Sequence, residues 1–238
     1  MLVAVALVGA SQLDWPSLVD RASNKLERVS RGEPLIILDR GSRGAYPNAA
    51  PYPADQQCVA RLTQNPVHQV RALGEFQSNV CGSNDPIEIT ALAGVKMSSP
   101  VVLGCKSAQA LATWLERDLP RALDRIDAPM PSRIHHMGTY SCRKIAGSSR
   151  WSQHAFANAI DIGSFQVPDY GRVSVLNHWR DGDEVEIAED QTLPSRAEYL
   201  RAVRSSLCDR FNVVLSPDFN AAHADHFHAD LGPFRTCR

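Results

Sequence analysis

The clearest periodicity in this 238-residue chain lies towards its C-terminal end. In SRAEYLRAVRSSLCDRF (195–211), Leu200, Val203, Leu207 and Phe211 recur at helical spacing, and Ser195 followed three residues later by Glu198 makes a capping box. That segment is predicted to be a helix. A second helical pattern lies within PVVLGCKSAQALATWLERDLPRAL (100–123), where Ala110, Leu111, Trp114, Leu115 and Leu119 share a face and Pro120 is expected to kink or end the helix. DQQCVARL (55–62) predicts a shorter one. Between the helices, RIHHMGTYSC, AIDIGSF, RVSVL and NVVLS have the β-branched, partly alternating character of strands. These elements do not alternate as βαβ units, and no internal repeat is visible. The expected fold class is therefore α+β, a mainly antiparallel sheet with flanking helices.

The polar stretches divide the chain. The first ten residues, MLVAVALVGA, form an apolar run about half as long as a membrane span needs, and Val8, Gly9 and Ala10 offer a small-residue cleavage site before Ser11. Residues 1–12 are read as a leader, although the basic stretch that usually precedes such a run is missing; the alternative is a buried N-terminal strand. Residues 13–54 are polar and end in the Pro-rich YPNAAPYP, which reads as a linker, so the folded domain is expected over 55–238. No integral membrane segment is expected in the mature chain.

Composition narrows the partners. Lys plus Arg number 25 against 26 Asp plus Glu, a balance that gives no reason to expect a nucleic acid or an anionic membrane as partner. The hydrophobic fraction, 44%, suffices for a sizeable core. Six cysteines, Cys58, Cys81, Cys105, Cys142, Cys208 and Cys237, contain no CxxC pair, which argues against a zinc ribbon or a thioredoxin motif. With the leader they favour disulfides in a periplasmic or secreted protein; the alternative is six reduced thiols in the cytosol. Six cysteines allow 15 connectivities, among which the sequence does not choose; pairing in chain order, taken as the working expectation, gives Cys58 with Cys81, Cys105 with Cys142, and Cys208 with Cys237.

Two short stretches carry the candidate chemistry. SQHAFANAID (152–161) holds His154 and Asp161, and HADHFHAD (223–230) holds three histidines and two aspartates. On a helix His154 and Asp161 would stand about 10 Å apart along the axis, too far to share an ion easily. A loop leading into the strand AIDIG brings His154 back beside Asp161, and His228 can join from a neighbouring strand. Two imidazoles and a carboxylate form a common catalytic zinc set because the fourth position stays open. On a regular strand His226 faces the same side as His228, whereas Asp225 faces away unless a turn or bulge intervenes. Asp225 and Asp230 also suit a role in fixing histidine tautomers. His135, His136 and His178 fit no ligand pattern, and His223 is ambiguous.

The residues YSCRK, SQHAFANAIDIGSF, SVLNHW, VVLSPDFNAAHADHFHAD and the final CR resemble the bacterial extensin-like C-terminal family over roughly Cys58 to Arg238. That family is similar, more distantly, to the zinc D-Ala-D-Ala peptidases of the peptidoglycan-cleaving group. The resemblance implies that His154, Asp161 and His228 bind one zinc ion and that Ser152 belongs to the substrate-binding motif. It also implies Asp225 or His226 as the acid-base group, and Arg143 as the residue that supports the oxyanion or a substrate carboxylate. The gap from Arg143 to His154 is shorter than in those peptidases. The implied function is a monomeric zinc hydrolase of peptidoglycan stem peptides. The alternative is a non-catalytic wall-binding module in which His226 or His223 closes a structural zinc site.

Overall fold

The computed structural model describes residues 51–179 and 194–238; the leader expected at 1–12 and the linker up to residue 50 lie outside the described residues. From Asp55, whose carboxylate caps it by accepting from the Cys58 amide, the chain enters α1 (Gln56–Thr63). Five strands follow: β1 (Gln69–Ala72), the small hairpin β2 (Phe76–Ser78) and β3 (Cys81–Ser83), then β4 (Pro86–Leu92) and β5 (Val95–Gly104). A tight turn through Ala93 (φ 49°) and Gly94 (φ 81°) joins the last two, both residues adopting the left-handed backbone that such a hairpin turn requires.

The predicted long helix begins only at the end of β5. It runs as α2 (Cys105–Thr113), widens into one π turn (Trp114–Asp118), and continues as α3 (Leu119–Asp124). Pro120 is the physical cause: it has no amide hydrogen, and its ring crowds the carbonyl four residues back. The wider turn, with the Leu119 amide bonded to the Trp114 carbonyl, absorbs it without ending the helix.

After β6 (Arg133–Gly138) come β7 (Ala159–Val167), β8 (Gly171–Ser174), the short α4 (Val175–His178), α5 (Arg196–Arg210), β9 (Val213–Leu215), β10 (Phe227–Asp230) and β11 (Thr236–Cys237). The Ser195 hydroxyl accepts from the Glu198 amide at 3.1 Å, the N-terminal cap the sequence predicts, a type of contact that contributes about 1 kcal/mol. Leu200, Val203, Leu207 and Phe211 are all buried.

The main sheet has the order β1-β4-β5-β6-β7-β10-β9-β11, with β8 on the outer part of β7. It is antiparallel except at β5–β6 and β9–β11, so the α+β expectation holds. The core lies between the sheet and the helices. Ile87, Ile89, Leu103, Ile160, Ile162, Phe165, Phe227 and Ala229 project from the strands into one cluster with Leu111, Trp114, Leu115, Leu119 and Leu207. Within it, the Trp114 indole donates to the Ser206 hydroxyl at 2.8 Å, and Arg210 forks onto the Asp118 carboxylate at 2.6 and 3.0 Å. These contacts pin α5 across the π turn. Alternation then dictates that residues between the buried strand positions face away from the helices, Asp161 on β7 and His228 and Asp230 on β10 among them.

All six cysteines are paired, but the pairs differ from chain order: Cys58 with Cys105, Cys81 with Cys142, and Cys208 with Cys237. Only the last matches the expectation. Cys58 on α1 meets the first residue of α2 because those helices pack together, while Cys81 on β3 lies beside the segment that leaves β6. Among the described residues, no helix is long and apolar enough to cross a membrane.

Candidate metal centre

The centre is built by register. β10 runs antiparallel to β7 with His228 directly opposite Asp161, and Phe227 opposite Ile162 on the core side. His154 arrives from a single 3-10 turn, Gln153–Phe156, that precedes β7. The Ser152 hydroxyl caps that turn by accepting from the His154 amide at 3.3 Å, and Ala157 (φ 50°) reverses the chain so that Asp161 comes back beside the imidazole. The loop-then-strand expectation is borne out in shape.

His154 Nε2 lies 3.2 Å from Asp161 Oδ1 and 3.1 Å from His228 Nδ1, and His228 Nδ1 lies 2.9 Å from the same carboxylate oxygen. A tetrahedral ion with bonds of about 2.0–2.1 Å spaces its ligand atoms about 3.3 Å apart, so the three atoms stand nearly where such an ion needs them. They form the described cluster able to hold a metal.

The far nitrogens decide the tautomers. His154 Nδ1 lies 2.9 Å from the Thr139 carbonyl and His228 Nε2 lies 2.7 Å from the Asp230 carboxylate. Both partners accept only, so both far nitrogens must carry a proton, and in the neutral rings the lone pairs of His154 Nε2 and His228 Nδ1 face each other. Two opposed lone pairs repel unless a cation stands between them. This is how histidine ligands are usually backed: a carbonyl or carboxylate takes the opposite N–H and aims the ring. Thr139 follows Gly138, whose φ of 141° belongs to the bulge that ends β6 opposite Asp161. Asp230 is itself buried, its other oxygen accepting from the Gly232 amide at 2.6 Å.

The electrostatics follow from this packing. Burial resists charge on Asp161, but hydrogen bonding to His154 and His228 and the positive charge on that pair outweigh it and hold the carboxyl well below the usual carboxylate range. Burial likewise opposes a charged His228, yet its hydrogen bonds to Asp161 and Asp230 raise it to about 9. Without a metal, a proton on His228 Nδ1 therefore takes the ion's place.

The remaining predicted residues surround this trio. β10 begins at Phe227, so Asp225 and His226 belong to the preceding turn and escape strand alternation. His226 Nδ1 lies 2.7 Å from Asp225 Oδ1, and His226 Nε2 lies 3.7 Å from Asp161 Oδ1. The carboxylate thus aims the imidazole at the trio, and both candidates belong to one dyad. His223 stacks near His226, with ring centroids 5.2 Å apart; burial, then its histidine neighbours, lower it to about 4. Arg143 is exposed on an irregular hairpin, and its backbone carbonyl accepts from the Ser152 amide at 3.1 Å. Its backbone is next to the site, with the side chain in solvent. His178 caps α4 by accepting from the Ser174 amide and takes no part.

The sequence reading missed the support behind His154. Asn158, buried, accepts from the Ser107 hydroxyl at 2.5 Å and donates to the Gln153 side chain at 2.6 Å and the Tyr52 hydroxyl at 3.3 Å. This ties the turn to α2 and to the segment that enters the domain.

No curated protein and no solved structure matches the chain. The family model for the extensin-like protein C-terminus matches residues 56–238, which contain the whole trio and its backing residues, and the chain belongs to that family.

Proposed function

We propose that this domain is a metal-dependent peptidase of the zinc D-Ala-D-Ala peptidase type, acting on peptidoglycan stem peptides in the periplasm or outside the cell. One observation carries the reading. Two imidazole lone pairs and a carboxylate oxygen converge within 3.2 Å, and the opposite nitrogen of each ring is committed to an acceptor. That arrangement suits a metal ion, whose place a proton on His228 takes when none is bound, and the ligand types favour zinc. The three disulfides fit an oxidising compartment.

His154, Asp161 and His228 would hold the ion, which when bound supplies Lewis acidity to water and to a carbonyl. The chain's own contribution is proton handling and orientation. His226 Nε2, steered by Asp225, faces the trio where it can accept a proton from the attacking water and return it to the leaving amine. Arg143, exposed on the hairpin beside Ser152, would meet a substrate carboxylate or a developing oxyanion.

The test is metal content by elemental mass spectrometry on untagged protein, followed by muropeptide digestion by the zinc-loaded protein and by His154→Ala. About one zinc per chain, lost together with cleavage in the variant, supports the proposal; full cleavage by His154→Ala removes it.

A structural site remains the second reading, because His226 Nε2 stands only 3.7 Å from Asp161. It predicts four protein ligands by zinc X-ray absorption and a domain that unfolds when stripped of metal.

A further inference from the structure

A groove of about 390 Å³ opens beside the trio, between Leu73, Phe76, Pro100, Val102, His136 and Tyr140, with Gly138 and Thr139 at its inner end. Its volume falls within the range of small-molecule sites, about 300–1,000 Å³. Two residues at its inner end also belong to the frame of the metal centre. Gly138 stands opposite Asp161 across β6 and β7, and the Thr139 carbonyl accepts the proton of His154. The groove's inner end is therefore built by the same bulge that backs His154 and pairs with Asp161.

Its wall is fixed in advance. The Phe76 and Tyr140 rings meet edge to face at 4.9 Å, and the Cys81–Cys142 disulfide ties the β2–β3 hairpin to the segment that carries Tyr140. Among the described residues, its lining contains no Asp, Glu, Lys or Arg. A charged group seated there would lose water without gaining a counter-ion, whereas an apolar one gains from burial. Of the lining side chains, His136 is held from β5, its Nε2 lying 3.0 Å from both the carbonyl and the hydroxyl of Ser99.

We infer that this groove is the subsite for an uncharged, apolar residue of the peptide whose bond is held at the trio, an assignment that rests on the hydrolytic reading above. It makes the groove the specificity element of the domain, separate from the groups that handle protons.

The experiment is nuclear magnetic resonance on the isotope-labelled full chain, titrated with the N-acetyl methylamides of leucine, phenylalanine, lysine and glutamate. The leucine or phenylalanine probe should give saturable shifts at the amides of Val102, Thr139 and Tyr140 in the millimolar range, with the lysine and glutamate probes at least tenfold weaker. Val102→Glu and, independently, Tyr140→Ala should each weaken the apolar probes about tenfold while metal content stays unchanged. No saturable shift, shifts confined to another face, or equal binding of the charged probes would overturn the assignment. His154→Ala separates the two claims. Probe binding retained in a variant that has lost metal and cleavage supports the groove, and probe binding by a wild-type chain that takes up no metal leaves the groove as a binding site while sinking the hydrolytic reading.

Discussion

His154 Nε2 and His228 Nδ1 stand 3.1 Å apart, and because the Thr139 carbonyl and the Asp230 carboxylate hold a proton on the far side of each ring, neither neutral ring has a proton to donate to the other. The pair needs a cation, and Asp161 supplies the matching charge from the opposing strand. Removal of either imidazole should therefore cost the ion and leave the fold. His154→Ala and His228→Ala are expected to fall from about one bound zinc to near none, with near-ultraviolet circular dichroism preserved, because neither imidazole belongs to the hydrophobic core and all three disulfides stay in place.

The Asp230 side chain touches no ligand position itself, yet it sets the tautomer of His228. Asp230→Asn should weaken zinc affinity by about 10–100-fold in a competition with a chelator, the usual cost of losing such a partner. Gly232→Ala tests the same relationship from behind. A Cβ at that position would come within 2.8 Å of Asp230 Oδ1 and 3.1 Å of Gln153 Cγ, so the carboxylate must shift and its bond to His228 is disturbed. The variant should lose affinity in the same direction as Asp230→Asn without any change of charge.

The trio was legible because its spacing excludes a helix, and because AIDIG carries its own strand signal, with Ile160 and Ile162 forced inward and Asp161 outward. The position of Asp225 was not legible. Its direction depends on where β10 starts, at Phe227, and a strand boundary is set by pairing with β7 and β9 rather than by local composition. Cysteine pairing failed for a related reason: Cys58 meets Cys105 through helix packing across 47 residues, which no spacing rule encodes. The β4–β5 hairpin, by contrast, was readable and went unread. PIEITAL alternates, with Ile87, Ile89 and Ala91 buried, and Ala93–Gly94 supplies a two-residue turn.

Two of the three disulfides differ in what they serve, one the fold alone and one also the site. Cys142 lies next to Ser141, whose amide donates to the His154 carbonyl itself, whereas Cys58–Cys105 links α1 to α2, which reaches the His154 turn only through Ala157 and Asn158. Replacing either pair by serine should cost about 2–4 kcal/mol in urea unfolding. Only the Cys81→Ser/Cys142→Ser double variant should also lose zinc affinity, and equal losses from both pairs would contradict this division.

Zinc uptake should depend on pH in a stated direction. Burial lowers the His228 pKa, but hydrogen bonds to Asp161 and Asp230 outweigh it and raise it to about 9, so below that pH the ion must displace a proton. Apparent affinity should rise about tenfold per pH unit through neutrality and level off near 9. The stability of the metal-free protein runs the other way. A folded pKa raised above the unfolded value of about 6.5 gives a contribution that is complete below about 6.5 and lost as pH climbs through 9. Chelator competition and urea titrations at matched pH values should therefore show opposite trends, and parallel trends would argue against the proton on His228.

The final prediction separates holding the metal from using it. His226 approaches Asp161 no closer than 3.7 Å and takes its orientation from Asp225, so it lies outside the trio while facing it. If it handles the proton, His226→Ala should keep about one zinc per chain and lose about 10²–10⁴-fold in kcat, with KM nearly unchanged. Asp225→Asn leaves the imidazole in place and removes the carboxylate that fixes its tautomer. Its loss should be smaller and should shift the limb of the kcat–pH profile that reports the base. A His226→Ala variant that loses zinc along with activity would instead make His226 a fourth ligand, and the closed structural site would become the better account of the centre.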